Sequence, residues 1–237
     1  MTDVSKSPER IAEMFDAIAG RYDLLNHVLS GGIDRRWRTR AIRSLRLTGR
    51  ERILDLCTGT GDLAIAAARA QPSARVVGVD FSGEMLRVGD RKLRNERLDD
   101  RIAMVRGDAT RIPLRDASVD AATIGFGIRN VQDMDAACAE LHRVLKPGGR
   151  LAILEFAVPT MPVFGAVYAW YVNRVLPRVG RALSRNDSAY AYLPASISAF
   201  ATPEEFVKIL RRAGFSAISP IRLMLGSVIL YTASRGN

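Results

Sequence analysis

The chain is poor in the residues that build metal centres and covalent cross-links. Its 237 residues hold two cysteines, Cys57 and Cys138, with no paired spacing for a zinc site or a disulfide framework, so no metal is expected and a reducing compartment is. Only two histidines, His27 and His142, are available, and a histidine base is not the default chemistry. Met1 to Phe15 carries Asp3, Lys6, Glu9, Arg10 and Glu13 and lacks the apolar segment of a secretory signal, which predicts a cytoplasmic protein. There is no internal repeat, low-complexity tract or visible linker. The 18 positions from Phe156 to Asn173 carry no charge and approach the length of a membrane span, but Pro159, Pro162 and Gly165 argue against one.

What is present is an ordinary globular composition, 48% hydrophobic, which excludes disordered, collagenous and disulfide-dense classes. Lys and Arg number 35 against 25 Asp and Glu, and the resulting surplus of +10 attracts anions: nucleic acid, acidic lipid headgroups or phosphorylated metabolites. Charge alone does not choose among them. Part of the surplus lies between Arg35 and Arg52, with eight arginines and one acid, Glu51. The bland reading there is a solvated helix face with Trp37, Ala41, Ile42 and Leu45 turned inward.

From Arg52 short β-rich runs alternate with helical stretches, the pattern of βαβ units on a parallel sheet. Strands are predicted at Arg52 to Cys57, Arg75 to Asp80, Ile102 to Gly107, Val119 to Gly125 and Arg150 to Phe156. Helices are predicted at Gly61 to Ala70, Ser82 to Asn95 and Asp133 to Lys146, the last stopped by Pro147-Gly148-Gly149. A further helix, Pro203 to Ala213, precedes two strands around Gly226, which read as a hairpin. Between these parts, Phe164 to Leu176 has apolar positions at helical spacing, followed by Arg174, Arg178, Arg181 and Arg185 without an acid. That stretch suits a membrane surface or an apolar substrate mouth, and equally a lid helix packed on the sheet.

The most informative string is Ile53-Leu54-Asp55-Leu56-Cys57-Thr58-Gly59-Thr60-Gly61-Asp62, a buried strand running into a glycine turn and a helix. Such glycines let a ligand approach the backbone. Gly59, Gly61 and Ala64 also match G-x-G-x-x-A, which by itself fits a dinucleotide as well. Asp80 ends the second strand where a carboxylate can accept both hydroxyls of a ribose, and Gly107-Asp108-Ala109 after the third offers a second acid beside an adenine position. Leu145-Lys146-Pro147-Gly148-Gly149 precedes the fifth strand. Together these resemble a class I S-adenosylmethionine-dependent methyltransferase. The resemblance implies a Rossmann-like α/β fold, a seven-stranded mostly parallel sheet with a C-terminal antiparallel hairpin. It implies that Asp55, Gly59, Thr60 and Gly61 hold the methionine part, Asp80 the ribose, and Asp108 with Ala109 the adenine, with Gly125 alongside.

Phe15-Asp16-Ala17-Ile18-Ala19, Tyr22-Asp23, Asn26, Ser30-Gly31-Gly32 and Trp37-Arg38 are similar to the N-terminal signature of the ubiquinone/menaquinone biosynthesis C-methyltransferase family. So are Gly125-Phe126-Gly127-Ile128-Arg129-Asn130-Val131, Leu154-Glu155-Phe156 and Ser188 to Ile197. Gly125 departs by standing where some members carry serine. The resemblance implies methylation of a ring carbon of a reduced prenylated quinol, with the menaquinone branch favoured by the Ser30 to Ile33 turn. Arg129 is the candidate to meet a developing phenolate, because guanidinium stays charged and presents a rigid fork of donors. Asn130 is the candidate for the second ring oxygen, and Tyr22 or Asp23 for assisting proton departure. Phe126, Tyr168, Tyr190 and Tyr192 are expected to wall the acceptor and its tail.

One domain is expected: a helical cap over 1–50, a cofactor core over 51–157, an apolar and basic insertion over 158–202, and a helix with hairpin over 203–237. Expected partners are the quinol and the inner face of the membrane as a peripheral contact, with assembly as a homodimer also considered. A nucleic-acid methyltransferase is the main rival. It is disfavoured because no N/D-P-P-Y/F element follows the fourth strand and neither cysteine follows a proline.

Overall fold

A computed structural model of the chain describes residues 7–159, 161, 164, 165, 168, 170, 171, 174 and 187–236. Two helices, α1 (Pro8–Leu29) and α2 (Asp34–Ser44), precede the sheet. Then β1 (Arg52–Leu56), α3 (Asp62–Ala70), β2 (Arg75–Asp80), α4 (Gly83–Glu96), β3 (Ile102–Arg106), β4 (Val119–Gly125), α5 (Met134–Val144) and β5 (Leu145–Phe156) alternate. The chain closes with α6 (Asp187–Ser198), α7 (Pro203–Arg212), β6 (Phe215–Leu223) and β7 (Val228–Arg235).

The seven strands lie in the order β3-β2-β1-β4-β5-β7-β6. All pairs are parallel except β5 with β7 and β7 with β6, so the expected mostly parallel sheet with its antiparallel hairpin is what forms. Both faces are covered, and the strands read accordingly. Ile53, Ala121, Ala152 and Leu230 pack with α2, α3 and α4 on one face, whereas Leu54, Ala122, Ile153 and Tyr231 pack with α5 and α7 on the other. This is the two-residue alternation of a strand buried on both sides.

β5 begins earlier than expected. Leu145 pairs with Val119, after which the register shifts and Arg150 pairs with Ala121. Lys146-Pro147-Gly148-Gly149 stand opposite Asp120 alone, a surplus of three residues that the bulge absorbs. Proline, lacking an N–H, cannot continue the ladder, while Gly148 adopts a positive φ of 73°. Helix α5 ends at Val144, and the proline marks an irregular strand entry as well as a helix stop.

The consequence for function is topological. β1 is flanked by β2 on one side and β4 on the other, so successive crossovers depart in opposite directions. Beyond the carboxyl ends of β1 and β4 a crevice opens.

Phe206 is fully buried and stands between Phe200, at 5.3 Å, and Tyr231, at 4.9 Å. Phe206→Ala is expected to cost about 3–5 kcal/mol, read as a lowered urea midpoint with an unchanged slope; a loss under about 1 kcal/mol would mean that α7 is not part of the cooperative core.

Candidate active site

The floor of the crevice is the turn after β1. Cys57, Gly59 and Gly61 all have positive φ, at 54°, 57° and 83°, and Gly61 donates its N–H to the Thr58 carbonyl at 2.9 Å. Under this turn lies the Asp55 carboxylate, 1% exposed. It accepts from the Thr58 hydroxyl at 2.6 Å, the Thr123 hydroxyl at 2.7 Å and the Ala64 N–H at 3.1 Å. Burial pushes its pKa up to about 6, although those three hydrogen bonds oppose the rise.

Two adjoining chambers occupy the crevice. The first, of about 430 Å³, is edged by Gly59, Asp80, Asp108, Ala109 and Gly125 from the strand ends, and roofed by Phe15 and Tyr22 of α1. Asp80 accepts the Gly59 N–H at 2.8 Å on one oxygen and the Ser82 N–H at 2.9 Å on the other, and burial raises its pKa. Asp108 turns one oxygen back to the Thr110 N–H and hydroxyl. Phe81 and Met85 add apolar wall.

The second chamber, of about 560 Å³, shares Tyr22, Cys57, Gly59, Gly125 and Phe126 with the first. Its walls are aromatic. Phe126 has a positive φ of 59°, which aims its ring between Trp37 at 6.0 Å and Phe156 at 4.5 Å, and Tyr168 and Tyr192 face the same space. Among these rings lies Arg129, 5% exposed. Its Nη1 donates to Glu155 Oε1 at 2.7 Å and to the Phe126 carbonyl, and its Nε donates to the Ser196 hydroxyl at 3.3 Å. Glu155 is fully buried and also accepts the Arg129 and Phe156 N–H groups. Next to it, Asn130 Oδ1 accepts from the Tyr192 hydroxyl at 3.0 Å.

The first chamber thus presents Asp80 and Asp108 at the strand ends and opens into an aromatic one with a buried guanidinium. The ubiE/COQ5 methyltransferase family model covers residues 1–235. The chain belongs to that family. A ubiquinone/menaquinone biosynthesis C-methyltransferase UbiE of Geobacter sp. (strain M21) is 45% identical over 236 residues, 99% of this chain and 100% of the relative. A demethylmenaquinone methyltransferase of Bacteroides fragilis (strain YCH46) is 42% identical over 230 residues, 97% of this chain and 94% of the relative. Among solved structures, the [4+2]-cyclase SpnF superposes with a TM-score of 0.72 at 18% identity, covering 97% of this chain and 96% of the cyclase. Phosphoethanolamine N-methyltransferase 2 of Haemonchus contortus, solved with S-adenosyl-L-methionine, gives 0.62 at 17% identity, covering 85% of this chain and 53% of that enzyme. The fold is that of the class I methyltransferases, and S-adenosylmethionine is the cofactor of the ubiE/COQ5 family.

The first chamber fits that cofactor. Asp80 keeps lone pairs for ribose hydroxyls after accepting two backbone N–H groups, and Asp108 keeps one oxygen for an exocyclic amine. The expected residues do not all act alike, however. Gly61 lines neither chamber; it turns the chain into α3, and a Cβ there would press on the Met104 side chain. Asp55 reaches the second chamber, but it is 1% exposed and its oxygens accept three protein donors, so its part is to shape the turn. Asp23 lines neither chamber, its carboxylate being held by the Thr60 hydroxyl and by Lys92 Nζ at 2.7 Å. Tyr22 does border both, and burial raises its pKa, with Asn26 hydrogen-bonded to it, so it is a donor at neutral pH and no base. The side chain of Tyr190 lies outside the described residues.

Several site residues carried signals that composition obscured. Arg38, inside the arginine-rich cap, is 13% exposed and bridges Asp34 at 2.6 Å and Asp62 at 2.9 Å on the wall of the second chamber. The solvated-face reading fails for it. Its spacing from Asp34 is i to i+4, the signature of a helical ion pair. Glu155 is an acid in an otherwise apolar strand, Leu151 to Phe156, a pattern that demands a buried partner.

Because the folded Asp55 pKa lies above that of the unfolded chain, the folded state holds the extra proton between the two values. Stability contributed by this group is full below about pH 4 and fades as pH rises through about 6. Relative to Asp55→Asn, the wild-type chain without cofactor is expected to gain stability as pH falls from neutrality, by an amount on the order of 2–3 kcal/mol. Parallel denaturation midpoints across that range would remove Asp55 as the source.

Proposed function

We propose that the protein methylates a ring carbon of a reduced prenylated quinol, with demethylmenaquinol as the acceptor. The observation that carries this is the second chamber: large and rich in aromatic rings, with the buried Arg129 guanidinium in its wall and the Asn130 amide in the adjoining wall of the cofactor chamber. Such a lining suits a flat hydroxylated ring with an apolar tail far better than a nucleotide or an amine. The names of the relatives support a quinone acceptor: one names ubiquinone and menaquinone biosynthesis together and the other demethylmenaquinone.

Bound S-adenosylmethionine supplies an electrophilic methyl group. The protein's part is to hold the acceptor carbon in line and to favour loss of a phenolic proton to solvent, from a group of ordinary pKa about 10, so that electron density reaches the ortho carbon. That carbon takes the methyl group and then releases its own ring proton to solvent, which restores the quinol. Arg129 is fixed by Glu155, Ser196 and Phe126, and its Nη2 has no partner among the described residues. That nitrogen is the donor offered to the phenolate oxygen. Because Glu155 balances the guanidinium charge, stabilisation comes from an oriented hydrogen bond in a water-poor pocket and not from a net positive site. Tyr192 holds the Asn130 carbonyl, leaving the amide N–H groups for the second ring oxygen. Trp37, Phe126 and Phe156 exclude water from the ring, and Tyr22, remaining protonated, closes the junction between chambers. An apolar tail on the acceptor makes a membrane surface its source.

The direct assay is label transfer from methyl-tritiated S-adenosylmethionine to a short-chain demethylmenaquinone, with and without dithionite, beside a benzoquinol and bulk RNA. Label in the reduced naphthoquinol alone is expected; label in RNA with none in either quinol would overturn the acceptor assignment. Arg129→Ala would strand Glu155, so Arg129→Lys is the cleaner variant. It should lower kcat by about 10²-fold or more while moving the cofactor Kd less than about threefold, whereas equal losses in both would sink the phenolate role.

A further inference from the structure

Four large apolar side chains are exposed near one opening: Val158, Trp170, Met224 and Leu225, between 47% and 61%. Trp170 and Met224 line the aromatic chamber, so this patch is its rim. The others are tied to it through the end of the sheet. Phe156 pairs with Val228, and Ala157 donates its N–H to the Ser227 carbonyl at 3.0 Å, which puts Val158 beside the turn that carries Met224 and Leu225.

That turn is built at a cost. Met224 and Leu225 have φ of 45° and 54°, consecutive left-handed conformations that L-residues other than glycine, asparagine and aspartate rarely adopt. The Ser227 hydroxyl and N–H both donate to the Met224 carbonyl, at 2.9 and 3.1 Å, and hold it so. The outcome is a leucine standing 58% exposed at the tip of the sheet. A turn selected for the fold alone would place glycine or asparagine there and a polar side chain outward.

Charge indicates what the patch meets. Arg222, 64% exposed with Glu204 at 3.9 Å, flanks the turn, and Arg174 is exposed four residues beyond Trp170. Apolar tips flanked by arginine complement a bilayer with anionic headgroups, the tips entering the acyl boundary and the cations meeting phosphates. No helix among the described residues is long and apolar enough to cross a membrane, so the contact is with one leaflet.

From these observations we infer that the β6–β7 turn, with Val158 and Trp170, is a membrane-docking wedge that sets the mouth of the acceptor chamber against the lipid surface. The inference rests on the reading of the acceptor as a lipid-borne quinol, and its test separates the two. Sedimentation with vesicles of phosphatidylglycerol and phosphatidylcholine, and with phosphatidylcholine alone, is measured for the wild type, Leu225→Asn and the double variant Val158→Ser/Leu225→Asn. Asparagine tolerates the left-handed backbone, so thermal stability is expected to hold or rise. Vesicle affinity should fall about tenfold or more in the double variant, with wild-type binding weaker on uncharged vesicles. Methylation of a tail-less quinol in solution should stay within about twofold of wild type, while the apparent KM for a long-tailed quinol in vesicles rises.

Absence of wild-type binding to the anionic vesicles, unchanged binding by the double variant, or a concentration-dependent dimer abolished by the same substitutions would overturn the wedge. If tail-less quinol is methylated in that case, the acceptor reading stands without it. Conversely, Leu225-dependent vesicle binding with no quinol methylated would leave the wedge and remove the acceptor.

Discussion

The site depends on one buried carboxylate. Asp55 sits where β1 gives way to the glycine turn, and its oxygens gather the Thr58 hydroxyl from the turn, the Thr123 hydroxyl from β4 and the Ala64 N–H from the first turn of α3. Four pieces of chain are thereby fixed at the topological switch point of the sheet. A neutral residue could not accept all three donors as well, and an ionised one in this setting carries a desolvation penalty, which is why its pKa rises to about 6. Those three hydrogen bonds hold the turn, and both chambers share that floor through Cys57 and Gly59.

The second buried charge solves a different problem. Arg129 projects into an aromatic cavity, where an unpaired guanidinium would be prohibitively costly. Glu155, one strand away on β5, neutralises it and receives the Arg129 N–H as well, so backbone and side chain are both registered. The Phe156 ring, 5.4 Å from the guanidinium carbon, adds a face contact. On the proposed reading, affinity for an anionic form of the acceptor arises from direction, with donors already oriented before the charge develops, and this is the arrangement in which a low-dielectric cavity helps most.

How much of this could be read beforehand follows from the range over which each feature is decided. β2 and β4 lie at their expected residues, and Gly59, Asp80, Asp108 and Gly125 gather around one chamber, because strand ends and glycine turns are specified within a few neighbouring positions. Partner choice across the fold is another matter. Nothing near Glu155 announces Arg129, 26 positions away, and nothing near Asn130 announces Tyr192, 62 positions away. The β5 boundary was obscured for a local reason: Pro147 signals a helix stop, and a bulged strand entry uses the same residue. Arg38 was hidden by its company, since a run of arginines looks solvated until Asp62 from a different helix comes beside it.

That last pairing explains how the cap stays in register over the crevice. Asp34, Arg38, Asp62, Lys92 and Asp23 form a chain of alternating charge that crosses from α2 to α3, to α4 and back to α1, ending on the Thr60 hydroxyl of the glycine turn. Burial works against the charged forms of both Asp62 and Lys92, yet Arg38 and Lys92 hold the Asp62 pKa below the ordinary value, and Asp62 with Asp23 hold that of Lys92 above it. An apolar interface between helices can slide by a turn at modest cost, whereas a partly buried alternating series matches in one register only. At the other end of α1, Asp16 accepts from the Ser82 hydroxyl and from the Glu84 N–H at 3.1 Å. Pinned at both places, α1 holds Phe15 and Tyr22 over the junction of the chambers. The aromatic roof is therefore positioned by a charge series that runs along the wall of the second chamber through Asp34, Arg38 and Asp62 and leaves it at Lys92 and Asp23.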